Sequence, residues 1–452
     1  MNVFIRQYEH NTSIGPAYEP ASNLPDGPAA DAPVRYIAYY LPQFHETPEN
    51  NEWWGNGFTE WTNVTKALPR YLGHYQPRLP GDFGFYDLSN PDYIRRQVAL
   101  AKRGGIYGFC IHNYWFSGRR LLEGPLRAIL QNRDIDIPFC LNWANESWSR
   151  RWDGSEQSIL VKQNYAPGED IQYAEYVLEF VADDRYIKID GRPLIMLYRP
   201  DHLPDARATI ERWREVFLRR GFPDPYIIMP QSRGVDDPRP FGIDAAAGFP
   251  PHKVAWENVP DIRHWVRLLD PRFVGRVVSY DDVAATAIAN RPNEFRLFPG
   301  VCPHWDNEAR RPGSGFSLAG STPNKYAEWL RAASEYALKA PRSDERLVFV
   351  NAWNEWAEGA YLEPDRHNGC AYLAATRRVL ESLRSSNASR SLSAMNDQVH
   401  SPLEITRTSI TNFAGNFPRV AMRKLRRRIS ALAPSAFTRR PKRLVKSGAT
   451  NF

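Results

Sequence analysis

Eight short apolar runs alternate with helical patterns along most of this 452-residue chain. Such near-continuous apolar runs are typical of parallel strands that are buried on both faces. Eight of these units predict an α/β fold, a (β/α)8 barrel with long insertions in its βα loops, and an open doubly wound sheet is the alternative. No Gly-rich phosphate loop follows the first run, which weakens the nucleotide-binding form of that alternative. The predicted strands are 35–41, 106–111, 137–142, 193–198, 226–229, 244–249, 296–301 and 347–351.

Composition divides the chain into three parts. Residues 1–33, rich in Pro, Ala, Asn and Asp, are predicted to form an N-terminal arm, and residues 34–385 the barrel domain. Residues 386–452 are predicted to be a basic, low-complexity and disordered tail. The net charge of +7 is misleading, because the residues from 385 onward hold 13 Lys/Arg and 2 Asp/Glu, which leaves the preceding residues at −4. We therefore expect no nucleic-acid binding by the barrel, whereas the tail has the charge for peripheral contact with an anionic membrane.

The cysteines and the N-terminus bear on the compartment. The chain has four cysteines without the close pairing of a metal knuckle, namely Cys110, Cys140, Cys302 and Cys370. Buried reduced thiols are the simpler interpretation and indicate a reducing compartment. The first residues lack the pattern of a secretion signal, and no apolar stretch approaches about 18 residues. We expect a cytoplasmic protein, with peripheral contact at the inner membrane as a further hypothesis.

Residues just after the strands of such a barrel meet at one mouth. Nearly all of those positions hold an amide, an aromatic ring, a His or a carboxylate, which suits the hydroxyls and the apolar ring face of a sugar. Each residue alone also has a structural explanation, since an Asn after a strand often only forms a turn. The candidate binding residues are Gln43, His45, Trp54, Glu60, Trp61, His112, Asn113, Tyr114, Trp115, Asn142, Trp143, Asn145, Glu146, Tyr198, Gln231, His252, Trp305, Asp306, Trp353, Asn354 and Trp356.

Two carboxylates, Glu355 and Glu358, follow the eighth run and are framed by Trp353 and Trp356. Residues three apart share a face in a turn or a helical start, whereas in a strand they point to opposite sides. Carboxylates that are close together raise one pKa of the pair, which provides one acid and one base. This pair is therefore the predicted catalytic pair, and a solvated acidic turn is the alternative.

Metal and cofactor signals are weak. The histidines that follow the strands are far apart in sequence and show no spacing typical of a zinc site. The triplet Asp134-Ile135-Asp136 precedes a strand, and so belongs to the end of the barrel opposite the mouth. We predict neither a metal nor a cofactor.

Five longer segments carry a resemblance to a known family. They are Tyr39-Tyr40-Leu41-Pro42-Gln43-Phe44-His45, Gly57-Phe58-Thr59-Glu60-Trp61, Tyr75-Gln76-Pro77-Arg78-Leu79-Pro80, Asn142-Trp143-Ala144-Asn145-Glu146 and Trp353-Asn354-Glu355-Trp356-Ala357-Glu358-Gly359. With these motifs, about residues 34–385 resemble the WbsX-type glycosyltransferase family, which has a domain similar to glycoside hydrolase family 99. The resemblance implies a (β/α)8 barrel and a role in bacterial surface polysaccharide metabolism, of the lipopolysaccharide O-antigen or capsule type, with an oligosaccharide or polysaccharide substrate.

Family 99 enzymes are endo-acting α-mannosidases and α-mannanases that retain anomeric configuration through a 1,2-anhydro sugar. By resemblance, Glu355 assists deprotonation of the substrate 2-hydroxyl, and Glu358 serves as acid and then as base. The better-studied hydrolases work outside the cytosol, so glycosyl transfer during polysaccharide assembly stays open beside hydrolysis. Two other hypotheses are a nucleotide-sugar-dependent transferase, with Arg199 or the pair Arg150-Arg151 at the donor phosphates, and a non-catalytic barrel that binds glycan.

Overall fold

The computed structural model of the chain describes residues 3–29, 31–150, 155–254 and 259–399. Its centre is a parallel β-barrel with helices outside, which confirms the predicted (β/α)8 class. All eight predicted strands are present. Their bounds are Arg35–Tyr40, Ile106–Phe116, Phe139–Trp143, Arg192–Leu197, Tyr226–Pro230, Ala245–Ala247, Leu297–Phe298 together with Gly300–Val301, and Leu347–Val350.

The seventh strand closes the barrel in two segments. Leu297–Phe298 pairs with the sixth strand and Gly300–Val301 pairs with the eighth, both in parallel. Pro299 lies between the segments and has no N–H to give to the ladder. Gly300 is needed because a Cβ there would lie 2.1 Å from the carbonyl oxygen of Gly248. This closure rules out the open doubly wound sheet.

Among the residues that the structure describes from the first barrel strand onward, seven helices have eight or more residues, and they pack around the barrel or follow its last strand. They are Pro91–Arg103, Gly124–Gln131, Glu169–Val181, Ala206–Arg219, Tyr280–Ala289, Pro323–Ala337 and Ala371–Val399. The Asn90 side chain accepts from the Asp92 amide, which is the N-cap expected before a proline at the first helical position. The last helix continues past residue 385, so the predicted tail boundary falls inside a helix. The basic runs of the tail lie outside the described residues.

The predicted N-terminal arm belongs to the same compact unit as the barrel, Met1–Ala394. In place of an extended arm, the chain forms the helix Val3–Thr12 and a short 3-10 turn at Ala21–Asn23. The Asn11 amide donates to the carbonyls of His74 and Gln76, at 2.7 Å each. The buried residues of this helix are polar, Gln7 and Asn11, so its sequence has no apolar periodicity from which a helix could be predicted.

The predicted insertions in the βα loops are present and carry short elements of their own. These elements are the helices Pro48–Trp54 and Trp61–Val64, the strands Arg119–Leu121, Trp148–Arg150, Ser155–Val161, Arg276–Ser279, Phe316–Ala319, Asn354–Glu355 and Ala360–Tyr361, and the 3-10 turns Pro200–His202, Arg239–Phe241, Arg263–Trp265, Asn307–Ala309 and Trp356–Glu358. Outside these loops lie the strand Lys188–Ile189, which pairs with the fourth strand, and the turn Ser343–Glu345.

One large apolar core fills the barrel and the space under its helices. All four cysteines are buried and unpaired. Within the described parts of residues 3–399, no helix has both the length and the apolar character that a membrane span needs.

Candidate active site

The two predicted catalytic carboxylates lie at the two ends of one 3-10 turn, Trp356–Glu358, which follows the eighth strand: Glu355 is its N-cap residue and Glu358 its last residue. A 3-10 helix has three residues per turn, so side chains three apart eclipse one another. Glu355 and Glu358 therefore point the same way. Both line a cavity of about 670 Å³ at the mouth of the barrel.

Arg310 joins this pair to a third carboxylate. Its Nη1 lies 2.6 Å from Glu358 Oε1, and its Nη2 lies 2.6 Å from Glu355 Oε1 and 2.7 Å from Glu60 Oε2. Glu60 comes from the loop after the first strand, Arg310 from the loop after the seventh, and the pair from the loop after the eighth. One guanidinium thus holds carboxylates from distant parts of the chain.

Burial and this charge cluster set the protonation of the site. Burial raises the pKa of Glu355 to about 8; Arg310 opposes that rise, while Glu358 and Glu60 add to it. Burial would lower the pKa of Arg310, but the three carboxylates hold that pKa well above its usual value. The site at neutral pH therefore contains a permanent cation and a Glu355 that keeps its proton.

The loop that carries Arg310 is fixed by Asp306. The Asp306 carboxylate lies 2.6 Å from His74 Nε2 and accepts from the Gln76 side-chain amide at 2.8 Å. The backbone N–H of Asp306 donates to the carbonyl of Glu358 at 2.7 Å. Asp306 therefore connects the Arg310 loop directly to the turn that carries the predicted catalytic pair.

Indole rings wall the cavity, as the sugar hypothesis requires, but they are not the ones that frame the glutamates. The lining tryptophans are Trp53, Trp54, Trp148 and Trp305. Two histidines lie among them, and burial lowers the pKa of His112 to about 4 and that of His252 to about 3. Both rings are therefore neutral at physiological pH and offer the hydrogen bonds of a neutral imidazole.

Ten of the residues proposed from sequence line this one cavity. They are Gln43, Trp54, His112, Tyr114, Glu146, Tyr198, His252, Trp305, Glu355 and Glu358. Glu60 is buried and reaches the site through Arg310.

Five proposed tryptophans lie in the core instead of the cavity wall: Trp61, Trp115, Trp143, Trp353 and Trp356. Trp143 stacks on Tyr173, with ring centroids 4.1 Å apart, under the helix Glu169–Val181. The indole N–H of Trp356 donates to the buried carboxylate of Glu363 at 2.6 Å. A buried N–H that already has an internal acceptor favours the core position over the cleft.

The alternation of side chains along the second strand explains why Asn113 and Trp115 do not line the cavity. The second strand continues to Phe116, five residues beyond its predicted end. Side chains alternate along a strand, so His112 and Tyr114 face the cavity while Asn113 and Trp115 point away from it. The Asn113 amide accordingly donates to the Tyr176 hydroxyl at 2.9 Å, outside the barrel.

The remaining proposed residues bind protein groups. Asn354 clamps Leu41, since its side chain accepts from the Leu41 N–H at 2.8 Å and donates to the Leu41 carbonyl at 2.9 Å. Asn145 donates to the Arg199 carbonyl at 2.8 Å. The other residues that do not line the cavity are His45, Asn142, Gln231 and Asp306. All of these are buried, so they shape the site without facing it.

Sequence reasoning missed the arginines of the site, which are Arg233, Arg310 and Arg311. Arg310 lies nine residues beyond Val301, whereas the residues predicted from the loop after the seventh strand, Trp305 and Asp306, lie nearer to the strand end. The adjacent Arg310-Arg311 pair in a predicted mouth loop was the available signal. Among the described residues, no three His, Cys, Asp or Glu side chains form a group that could hold a metal ion.

Comparison with known proteins places the chain among related sequences. The family model described as "Glycosyltransferase WbsX" matches residues 36–376. Two relatives, each described as "Uncharacterized protein WxcX", come from Xanthomonas campestris pv. campestris strains ATCC 33913 and B100. Each is 42% identical over 348 residues, which is 77% of this chain and 50% of the relative. The chain thus spans about half the length of these curated relatives.

A solved structure described as "Glycoside hydrolase-like protein" has a similar fold. It superposes with a TM-score of 0.50 and 13% sequence identity, over 81% of this chain and 97% of that one. At this identity the likeness concerns the fold alone.

Proposed function

Because the chain belongs to the WbsX glycosyltransferase family and is therefore an enzyme of glycosyl chemistry, we propose that Glu355 and Glu358 act as its catalytic pair on an α-linked, mannose-like glycan, with retention of configuration. One observation carries this proposal. The two carboxylates lie side by side on one turn, face a cavity with indole walls, and share the guanidinium of Arg310. Transfer and hydrolysis differ only in whether a hydroxyl or water receives the glycosyl group.

In the proposed first step, the substrate 2-hydroxyl attacks its own anomeric carbon. Glu355 takes the hydroxyl proton while Glu358 gives a proton to the departing glycosidic oxygen, so the bond from the anomeric carbon to that oxygen breaks as the 1,2-anhydro ring forms. The pair needs one proton in total for this step. The raised pKa of Glu355 keeps one proton on the pair at neutral pH, and that proton has to move from Glu355 to Glu358 before this step begins.

In the second step, Glu358 takes a proton from the acceptor hydroxyl or water as that oxygen attacks the anomeric carbon. The 1,2-anhydro ring opens, and the former 2-hydroxyl oxygen recovers its proton from Glu355. Two inversions at one carbon give net retention. Arg310 contacts both carboxylates and stabilises whichever of them is ionised at each stage.

The direct test compares Glu358→Gln with Glu328→Gln, a matched change on an exposed position of the helix Pro323–Ala337. A panel of α-mannosides and bacterial surface repeat units is incubated with each protein and analysed by mass spectrometry. We expect Glu358→Gln to abolish turnover and to retain glycan binding, and Glu328→Gln to behave as wild type. Wild-type turnover by Glu358→Gln would overturn the assignment. Binding without turnover by the wild-type protein would favour the non-catalytic barrel.

A second candidate, a nucleotide-sugar donor, has one specific observation in its favour. Arg233 and Arg311 line the cavity and could face donor phosphates. Arg199 is less suited than the sequence suggested, because it lies 2.7 Å from Glu146 and 2.5 Å from Asp201. The Arg150-Arg151 pair lies outside the residues whose side chains are described. Isothermal titration with nucleotide sugars tests this candidate, which fails if none binds.

For the biological setting, we propose assembly or remodelling of a bacterial surface polysaccharide, such as a lipopolysaccharide O-antigen, at the cytoplasmic face of the inner membrane. The basic residues of 386–452 would contact the membrane peripherally. Apart from Arg390, these basic residues lie beyond residue 399, outside the described part of the chain, and it is their charge that supports this proposal. Fractionation of cells that express the full chain, before and after a high-salt wash, tests it.

A further inference from the structure

Five large apolar side chains are exposed on two paired loops at the mouth end of the barrel. They are Leu68, Leu72, Trp265, Leu268 and Val274, and we call them the apolar rim. Trp265 is 83% exposed and Val274 is 68% exposed. Single exposed apolar residues are common, but a group of this kind marks an interaction site.

Backbone hydrogen bonds hold the two loops of the apolar rim against each other. The Leu72 N–H donates to the Arg267 carbonyl, and the Leu269 N–H donates to the Arg70 carbonyl, at 2.8 Å each. Tyr71 and Leu268 form an antiparallel bridge between the loops. The rim is therefore one surface built from the loops after the first and sixth strands.

A small apolar cluster, separate from the main core, supports the apolar rim. Tyr71, Phe273 and Val277 are buried together, with Ile262 and Val266 partly buried against them. These side chains fill the interior of the paired loops. Trp265, Leu268 and Val274 are exposed to solvent, whereas apolar residues next to them in sequence are buried or partly buried in this cluster. The apolar rim is therefore a surface separate from the cluster.

The charge around the apolar rim is opposite to that of the barrel as a whole. Segments 65–73 and 261–276 contain six Lys/Arg and two Asp, a net +4, whereas residues 1–384 together carry −4. Lys66, Arg267 and Arg272 are exposed among the apolar side chains. Trp and Leu interleaved with basic residues is typical of surfaces that lie at a membrane–water interface.

We propose that the apolar rim and its basic residues dock the barrel on an anionic phospholipid membrane. Trp265, Leu268 and Val274 enter the boundary between headgroups and acyl chains, and Lys66, Arg267 and Arg272 face the anionic headgroups. This surface is distinct from the basic tail and does not depend on it.

Docking through this surface would place the cavity next to the bilayer. Arg70 of the rim loops lies 2.5 Å from Glu308, which is two residues before Arg310 in the site. Both rim loops follow barrel strands, so they belong to the end of the barrel at which the cavity opens. A glycan carried on a membrane lipid would reach the catalytic pair from this side.

The test uses the full-length protein and needs no turnover, so its result is independent of the proposed function. Vesicles of phosphatidylcholine, with or without phosphatidylglycerol, are mixed with the protein. Sedimentation measures binding, and hydrogen exchange locates the protected segments. The test variant is Trp265→Ala with Leu268→Ala. The control is Leu218→Ala, on an exposed position of the helix Ala206–Arg219.

We expect binding to anionic vesicles, with protection of 66–72 and 262–274. The double variant should bind about tenfold more weakly, because two partly buried apolar side chains are lost, and the control should bind as wild type. An unchanged melting temperature shows that the variant is folded. Equal binding by the double variant, equal binding to uncharged vesicles, or protection confined to 400–452 would each overturn the proposal.

Discussion

Glu355 and Glu358 are three residues apart, yet their surroundings differ. The Glu355 side chain is 9% exposed and that of Glu358 is 20% exposed. Burial raises the pKa of the Glu355 carboxyl to about 8. Interacting carboxylates titrate as a pair, so the pH dependence reports the proton count of both and not the role of either.

The first prediction at this scale concerns pH. In the proposed mechanism the pair works with one proton, and that proton is lost as the pH rises through about 8. We expect kcat/KM to fall on the alkaline side with an apparent pKa near that value, since this ratio reports the free enzyme. Initial rates on any glycan of the panel, from pH 5 to 10, measure it. A kcat/KM that stays flat or rises through pH 8 would refute the single-proton pair.

The second prediction concerns Arg310, whose cation opposes the rise in the pKa of Glu355. An adjacent cation lowers a carboxyl pKa by about 1–3 units, so Arg310→Gln should raise the pKa of Glu355 by that amount. Side-chain carboxyl signals of 13C-glutamate-labelled protein follow the titration, with Glu355→Gln to assign the signal. The control Arg331→Gln, at an exposed position of the helix Pro323–Ala337, should leave the titration unchanged. An unchanged pKa of Glu355 in Arg310→Gln would contradict the claim that the Arg310 cation lowers that pKa.

Short elements, more than the barrel strands, set the site geometry. The 3-10 turn Trp356–Glu358 aligns the pair, and Asp306 connects that turn to the Arg310 loop. Behind Asp306, the segment with His74 and Gln76 is held by Asn11 of the N-terminal helix. The helix Val3–Thr12 therefore supports the site through one series of hydrogen bonds.

This series gives a prediction at the scale of the element. Asn11→Ala removes a donor from both carbonyls, and although the His74 carbonyl still accepts from the Gln76 backbone N–H, the Gln76 carbonyl loses the donor described for it. An unsatisfied buried group costs about 1–3 kcal/mol. We expect a lower free energy of unfolding and a lower kcat in this variant. Thr12→Ala is the control, because the Thr12 hydroxyl bonds only within its own helix among the contacts described. Urea unfolding measures the difference. Equal stability of the two variants would contradict the support role of the N-terminal helix.

Strand positions could be predicted from sequence, but strand ends could not. The apolar runs gave all eight barrel strands, because burial on both faces leaves a direct compositional signal. The second strand, however, continues through polar and aromatic residues to Phe116, where composition no longer distinguishes strand from loop. Because the strand continues to Phe116, Asn113 and Trp115 alternate with His112 and Tyr114 and point away from the cavity.

On the scale of the whole molecule, the closed barrel and the place of Glu355 and Glu358 at its mouth could be predicted from the sequence, because each is local in sequence or periodic. The contact of Arg310 with Glu60 joins residues 250 apart and leaves no local pattern. The core position of Trp353 was missed for the same reason, because its ring packs against Phe109 on the second strand. Contacts between loops of the mouth decide which aromatic residues face a ligand.

The central claim is that Glu355 and Glu358 meet a sugar on two adjacent oxygens. The most direct measurement is a crystal structure of the Glu358→Gln variant with a bound α-linked oligosaccharide from the panel. The account predicts the glycosidic oxygen within hydrogen-bond distance of the side chain at position 358, and the 2-hydroxyl of the same sugar on Glu355. A glycan bound with both oxygens beyond reach of these side chains would contradict it.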